Sequence, residues 1–231
     1  MMSGTNGQGN GSAARDGAPL QALRRFTRER PTGSAPLEHC EMCSEPLAPI
    51  HRHLLEIANR RVLCTCEACT LLFGYPGAGG GKYRAIPRRY LVLPDFQMTD
   101  EQWDELRIPV NMVYIFRSTV AERAIAFYPS PAGATESLLD LQSWEVLVHN
   151  NPILNDLEAD VEALLINRVG EAREHYVVPI DACYQLVGLI RLSWKGLSGG
   201  EEVWKAIKEF FADIRAKSQP VRGDADAGPE L

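Results

Sequence analysis

The chain has 231 residues, 45% apolar and 23% charged, with a net charge of -6 at neutral pH; that suffices for one domain of ordinary size plus a small module. The acidic balance argues against generic nucleic-acid binding. Residues 1–20 carry no continuous apolar stretch, and the apolar segment 177–192 is broken by Pro179, Asp181, Gln185 and Arg191, so neither a secretory signal nor membrane insertion is expected and the predicted location is cytoplasmic.

Residues 1–36 are rich in Gly, Ala and Arg and are expected to be a disordered tail, with at most a brief helical turn over 20–28. A cysteine-rich module over 37–74 follows. It contains Cys40-Glu41-Met42-Cys43 and Cys64-Thr65-Cys66-Glu67-Ala68-Cys69, two C-x2-C hooks separated by the spacing of a tetrahedral thiolate site. In a reducing compartment such clusters are read as metal ligands before disulfides. The expected ligands are Cys40, Cys43, Cys66 and Cys69, holding zinc, with iron as the alternative. Residues 53–58 and 62–66 pair as strands around Asn59-Arg60-Arg61, giving a zinc-ribbon or rubredoxin-like hairpin in which nothing demands a helix. Cys64 would share a strand face with Cys66 and is either an extra ligand or a spare thiol. His51 and His53 also alternate on a strand and could offer imidazoles to a transient ion such as nickel; lacking an evident third ligand, they are read as exposed histidines.

A Gly-rich connection over 75–82 leads to an α+β domain over 83–217. Lys82, Arg84, Arg88 and Arg89 lie among Tyr83 and Tyr90, and without an accompanying stacking motif they read as a solvated loop. Thr99 and Gln102 have capping-box spacing before Trp103 and Leu106, predicting a helix over 100–107. Residues 110–117 and 123–128 are β-rich, and Pro131-Ala132-Gly133 turns the chain toward Ser137 and Leu138. Ser130, Thr135, Glu136 and Ser137 make the segment 127–137 a candidate recognition loop, an ordinary turn being the competing reading. A helix over 141–149 stops at Asn150-Asn151-Pro152, and strands follow over 161–167 and 175–179. Asp181 could cap a buried helix over 182–194, although 186–192 would also suit a strand. Ser198 and Glu201 form a second capping-box pattern before the amphipathic stripe Val203, Trp204, Ile207, Phe210, Phe211 and Ile214, predicting a final helix to Lys217. Residues 218–231 read as a second disordered tail.

The fold class expected from these elements is α+β: the metal module, then a domain with a mainly antiparallel sheet and a C-terminal amphipathic helix. Enzyme motifs are weak. The glycine loop has Pro76 and Tyr83 where a P-loop needs Gly and Ser or Thr, and Gly196-Leu197-Ser198-Gly199-Gly200 lacks a later histidine. Cys183 and His175 could form a thiol and base only if the fold joined them, and a buried structural cysteine is the simpler reading. A thiol-dependent enzyme using Cys64 or Cys183 is thus the weakest of the three functional classes, and no catalytic residue is assigned.

Cys40-Glu41-Met42-Cys43, the run Leu63 to Phe73, the segment Phe127 to Ser137 and Val178-Pro179-Ile180-Asp181-Ala182-Cys183-Tyr184 together resemble an uncharacterised bacterial family over about residues 39–216. Its members are encoded among genes for high-affinity nickel-iron uptake hydrogenases and their maturation factors. The resemblance implies an accessory protein that assists assembly, metallation or maturation of such a hydrogenase, with a hydrogenase subunit or maturation protein as partner. A rubredoxin-like iron carrier serving the hydrogenase is the alternative.

Overall fold

In the computed structural model, residues 38–75, 77, 79–137, 141–196 and 199–221 are described. The tail expected over 1–36, Leu138, Ser198 and residues 222–231 lie outside them. After the first hook, β1 (Arg52–Glu56) and β2 (Arg61–Thr65) form an antiparallel hairpin. Its turn is set by Arg60 at φ 56° and by the Asn59 side chain, which accepts from Arg61 N–H at 3.2 Å. Helix α1 (Glu67–Gly74) follows at once, then a 3-10 turn (Gly79–Gly81) and β3 (Tyr83–Ala85). Strand β3 pairs with β1, giving the order β2-β1-β3. Gly74 is required where α1 meets β3, since an added Cβ would lie 2.7 Å from that of Ala85.

The main sheet comprises β4 (Leu91–Val92), β5 (Met112–Ser118), β6 (Arg123–Ser130), β7 (Gly133–Ser137), β8 (Glu162–Asn167), β9 (Glu174–Pro179) and β10 (Gln219–Pro220) in the order β10-β4-β9-β8-β5-β6-β7. Every pairing is antiparallel except β10 with β4. This, with the closing helix α5 (Gly200–Lys217), is the expected α+β class. The strand alternation separates two cores. Met112, Tyr114 and Phe116 of β5 face one side, where Cys183, Leu186 and Ile190 of α4 (Ile180–Ser193) and Val203, Ile207, Phe210, Phe211 and Ile214 of α5 cover them, whereas Trp204 of the expected stripe is exposed. Val113 and Ile115 face the other, under Trp103 of α2 (Asp100–Glu105), Leu147 of α3 (Leu141–Asn150) and Leu154. Central β8 is buried along its whole length, and its middle residues 163–166 read as a continuous apolar run because helices cover both of its faces.

Local signals fared unevenly. The Thr99 capping box forms with both reciprocal bonds. Asn151, part of the expected stop signal, also carries its amide across to Gln97, accepting from its N–H at 2.7 Å and donating to its carbonyl at 2.9 Å. The segment 180–193 is helical, but its N-cap is Pro179, and the Asp181 carboxylate points elsewhere. The N-cap of α5 is Gly199 at φ 86°, without a side-chain cap. A Cβ there would approach Val203 to 2.7 Å and Trp194 to 3.1 Å, so a close backbone approach selects the residue. Past α5 the chain does not leave the fold at 218: Gln219–Pro220 add an edge strand.

The basic run is not a solvated loop. Arg89 forks onto Glu162 with bonds of 2.8 and 2.6 Å, the Glu162 side chain being 0% exposed, while Arg84 donates to Ala159 O at 2.7 Å and Arg88 to His51 O at 2.9 Å. Arg84 and Arg89 thereby fasten the small sheet to the large one. Leu55 and Ile86 enter the core beside α4 and α5, and Arg60 lies 5.3 Å from the Phe127 ring centroid and 5.7 Å from that of Phe116.

Removing the Arg89 cation would leave the Glu162 carboxylate buried without its partner. Arg89→Met is expected to lower the unfolding free energy by about 2–3 kcal/mol, below the full range for buried pairs because the guanidinium is partly solvated; urea denaturation within 0.5 kcal/mol of the parent, on the order of a neutral surface change, would refute the role. His175, stacked on Phe96 at 4.4 Å, has its pKa lowered to about 4 by burial and then by Arg168. The unfolded chain therefore binds this proton first as pH falls, so the stability His175 contributes is complete above about 6.5 and is lost toward about 4. His175→Gln is expected to flatten the stability profile between about pH 6.5 and 5, by up to about 1.4 kcal/mol per pH unit; identical slopes for both proteins would show that another group governs that window.

Candidate metal centre

The first hook is a knuckle. Cys40 N–H donates to Glu45 O at 2.8 Å and Ser44 N–H to Cys40 O at 2.7 Å, with Ser44 at φ 65° closing the bend. Glu41 pins this knuckle to β2: its N–H donates to Cys64 O at 2.9 Å and its carboxylate accepts from Cys64 N–H at 2.7 Å.

The second hook is helical, which corrects the expectation that the module needs no helix. Cys66 ends the hairpin and caps α1, its Sγ accepting from Cys69 N–H at 3.4 Å where a Ser or Thr oxygen would ordinarily serve. Buried Thr65 and Thr70 brace the turn with a 2.8 Å hydroxyl pair.

The sulfur atoms of Cys40, Cys43, Cys66 and Cys69 lie within 4.8 Å of one another, and those of Cys43 and Cys66 are 3.7 Å apart. A tetrahedron of 2.3 Å metal–sulfur bonds has edges of about 3.8 Å. The donor set therefore fits a metal ion. Cys40 and Cys69 are buried against Leu47, and Cys43 is exposed. Burial pushes Cys40 up, but the backbone N–H groups of Cys66, Met42 and Cys43 together outweigh it and bring that thiol down to about 6. Burial, neighbouring thiols and the charge on Cys40 push Cys69 up. The Cys40 thiolate is thus favoured while the Cys43 and Cys69 thiols resist joining it; a bound cation would supply the charge that lets the quartet ionise.

Cys64 stays outside this quartet. It pairs in register with His53 across the hairpin, and its sulfur lies within 4.8 Å of a nitrogen of His51 and of His53. Burial, then Glu38 and Glu41, hold its thiol above the ordinary value. His53 Nδ1 contacts the Asp181 carboxylate at 2.6 Å. The sequence showed the His51–His53 alternation but neither the third ligand nor Asp181, which is 128 residues from His53; no local pattern reports such a distant pairing.

The recognition-loop candidates are engaged within one hairpin. Ser130 Oγ donates to Gly133 O at 2.9 Å and lies 3.2 Å from the Thr135 hydroxyl; Glu136 pairs with Arg123 at 3.0 Å, and Ser137 is buried. Cys183 and His175 do not meet: Cys183 is in the core beneath α5, whereas His175 shares the sheet face of Ile166 in the opposite core. No helix among the described residues is long and apolar enough to cross a membrane.

Comparison with curated proteins and with solved structures finds no match. A family model does match, over residues 39–218, which span both hooks, the hairpin, the large sheet up to its edge strand β10, and α5. The chain thus belongs to the family of unknown function DUF5947.

Proposed function

We propose that the four thiolates hold a structural zinc ion and that the module so fixed, with the α+β domain, acts as a cytosolic accessory protein in the assembly or maturation of a nickel-iron hydrogenase. The observation that carries the structural part is the convergence of Cys40, Cys43, Cys66 and Cys69 from two hooks built on different backbone frames, a knuckle and a helix cap. An ion is the natural tie between them, because the knuckle otherwise depends on a few backbone bonds and on Glu41. Zinc suits a compact four-sulfur set with no requirement for redox change. The hydrogenase part is supported by the likeness of the hook and hairpin residues to proteins encoded beside such enzymes. The partner would be a hydrogenase subunit or another maturation factor.

A second reading, iron in a rubredoxin-like electron carrier, is favoured by one observation: Cys43 is exposed and would bring an electron close to a docked protein. Protein purified without air is expected to be colourless with one zinc per quartet; a red, iron-loaded chain that bleaches on reduction would establish the carrier instead.

Structural zinc contributes on the order of 10 kcal/mol in small modules. Cys69→Ser is therefore expected to release the ion and expose residues 38–85 to limited proteolysis, with the large sheet retained by circular dichroism. A Cys69→Ser chain that lacks metal yet resists protease like the parent would remove the structural role. For the accessory function, a strain deleted for this chain is expected to accumulate unprocessed or inactive hydrogenase. Fully active, normally processed enzyme in that strain would overturn the hydrogenase assignment while leaving the zinc site standing.

A further inference from the structure

We propose that His51, His53 and Cys64 form a second metal site, distinct from the four-thiolate centre, for a late first-row divalent cation with an open coordination position. Three donors of the two residue types that such ions prefer lie within 4.8 Å of one another. The hairpin register explains the convergence: His53 is opposite Cys64 across β1 and β2, and His51, two residues before His53, presents its ring edge-on to the His53 ring with centroids 4.9 Å apart.

The stronger observation is how the imidazoles are held. His51 Nδ1 lies 3.0 Å from Ala48 O; a carbonyl only accepts, so this nitrogen carries the proton and the neutral ring presents a bare lone pair at Nε2. That lone pair is buried without a partner, on a side chain only 9% exposed. A buried acceptor left unmatched is costly unless something occupies it. His53 Nδ1 is likewise committed, to Asp181 Oδ2 at 2.6 Å, which fixes the tautomer that offers Nε2. A carboxylate behind a histidine is the arrangement that orients metal-binding imidazoles and raises their basicity. Its other oxygen, Asp181 Oδ1, is also buried and unpartnered.

The chemistry of the set selects the ion. Two imidazoles and one thiolate suit nickel, cobalt or zinc rather than calcium or magnesium, which take oxygen. Binding would displace the Cys64 proton to solvent and form the metal–sulfur bond in its place. Three protein ligands leave a fourth position for water or an incoming donor, the pattern of a reactive or exchangeable site rather than a closed structural one. The inference does not rest on the proposed role with hydrogenase, since its donors, anchors and orphaned atoms all lie within this chain.

The test uses the full chain with its four-thiolate centre filled by one equivalent of zinc, titrated with Co2+ and separately with Ni2+. One further ion per chain is expected to bind, and X-ray absorption at the cobalt edge should show one sulfur and two imidazole neighbours. Cys64→Ser and His53→Gln should each weaken this second binding at least tenfold while zinc is retained, and Asp181→Asn should weaken it about 10- to 100-fold. Saturation at the single zinc, an added ion without sulfur in its shell, or a second equivalent unchanged in both Cys64→Ser and His53→Gln would overturn the site. The absorption measurement is made on the unmodified chain, so it decides the matter even if a variant misfolds.

Discussion

The constraint on which the cysteine-rich module depends is electrostatic: four cysteine sulfurs brought within 4.8 Å cannot all carry charge without a cation among them. Their positions are prepared by ordinary backbone chemistry. A knuckle turns on Ser44, a hairpin turns on Arg60, and a helix begins where Cys66 stands in for an oxygen cap. Each device is local and weak, and each spends its geometry on aiming sulfur at one point. A metal bound there would therefore couple three short elements that would separately be marginal.

The small sheet is not a free-standing appendage. Leu55 and Ile86 enter the core under α5, Arg60 covers Phe116 and Phe127, and Arg89 neutralises the buried Glu162 at the start of β8. Glu162 also accepts from Glu158 N–H at 3.0 Å, so one carboxylate anchors both the approach to β8 and the strap between the sheets. Order that an ion in the quartet would impose has a path into the larger domain through this packing and charge.

What the sequence made legible was what short spacings encode. The C-x2-C hooks, the hairpin turn, the Thr99 capping box, the β-rich runs around Phe116 and Phe127 and the α5 stripe all depend on neighbours within a few residues, and they appear where periodicity placed them. The misses involve partners far apart in sequence. Arg84 and Arg89 looked solvated because Ala159 and Glu162 are more than 70 residues away; Asp181 looked like a cap because His53 was out of view. The helical second hook was missed for a different reason: a cysteine cap is chemically equivalent to a serine cap here, but sequence rules for helix starts do not look for sulfur.

The alternation of donors at the end of β2, Cys64 on the strand and Cys66 just past it, has a consequence for selectivity. Cys64 and Cys66 are two residues apart, yet the first faces two histidines and the second joins three other thiols. A set of four sulfurs and a set of two nitrogens with one sulfur differ in softness and in net charge, the quartet carrying four negative charges when ionised and the trio one. A soft, closed quartet retains its ion strongly, while a trio with one open position exchanges more readily. Both sets are fixed by the same hairpin, so an ion in the quartet holds β2 in register and thereby holds Cys64 opposite His53. Loading the structural centre would preorganise the exchangeable one without any contact between their ions, and losing the first would disperse the second. The dependence arises because Cys66, a donor of the quartet, directly follows the end of the strand that carries Cys64, which would make the order of metal binding a property of the fold.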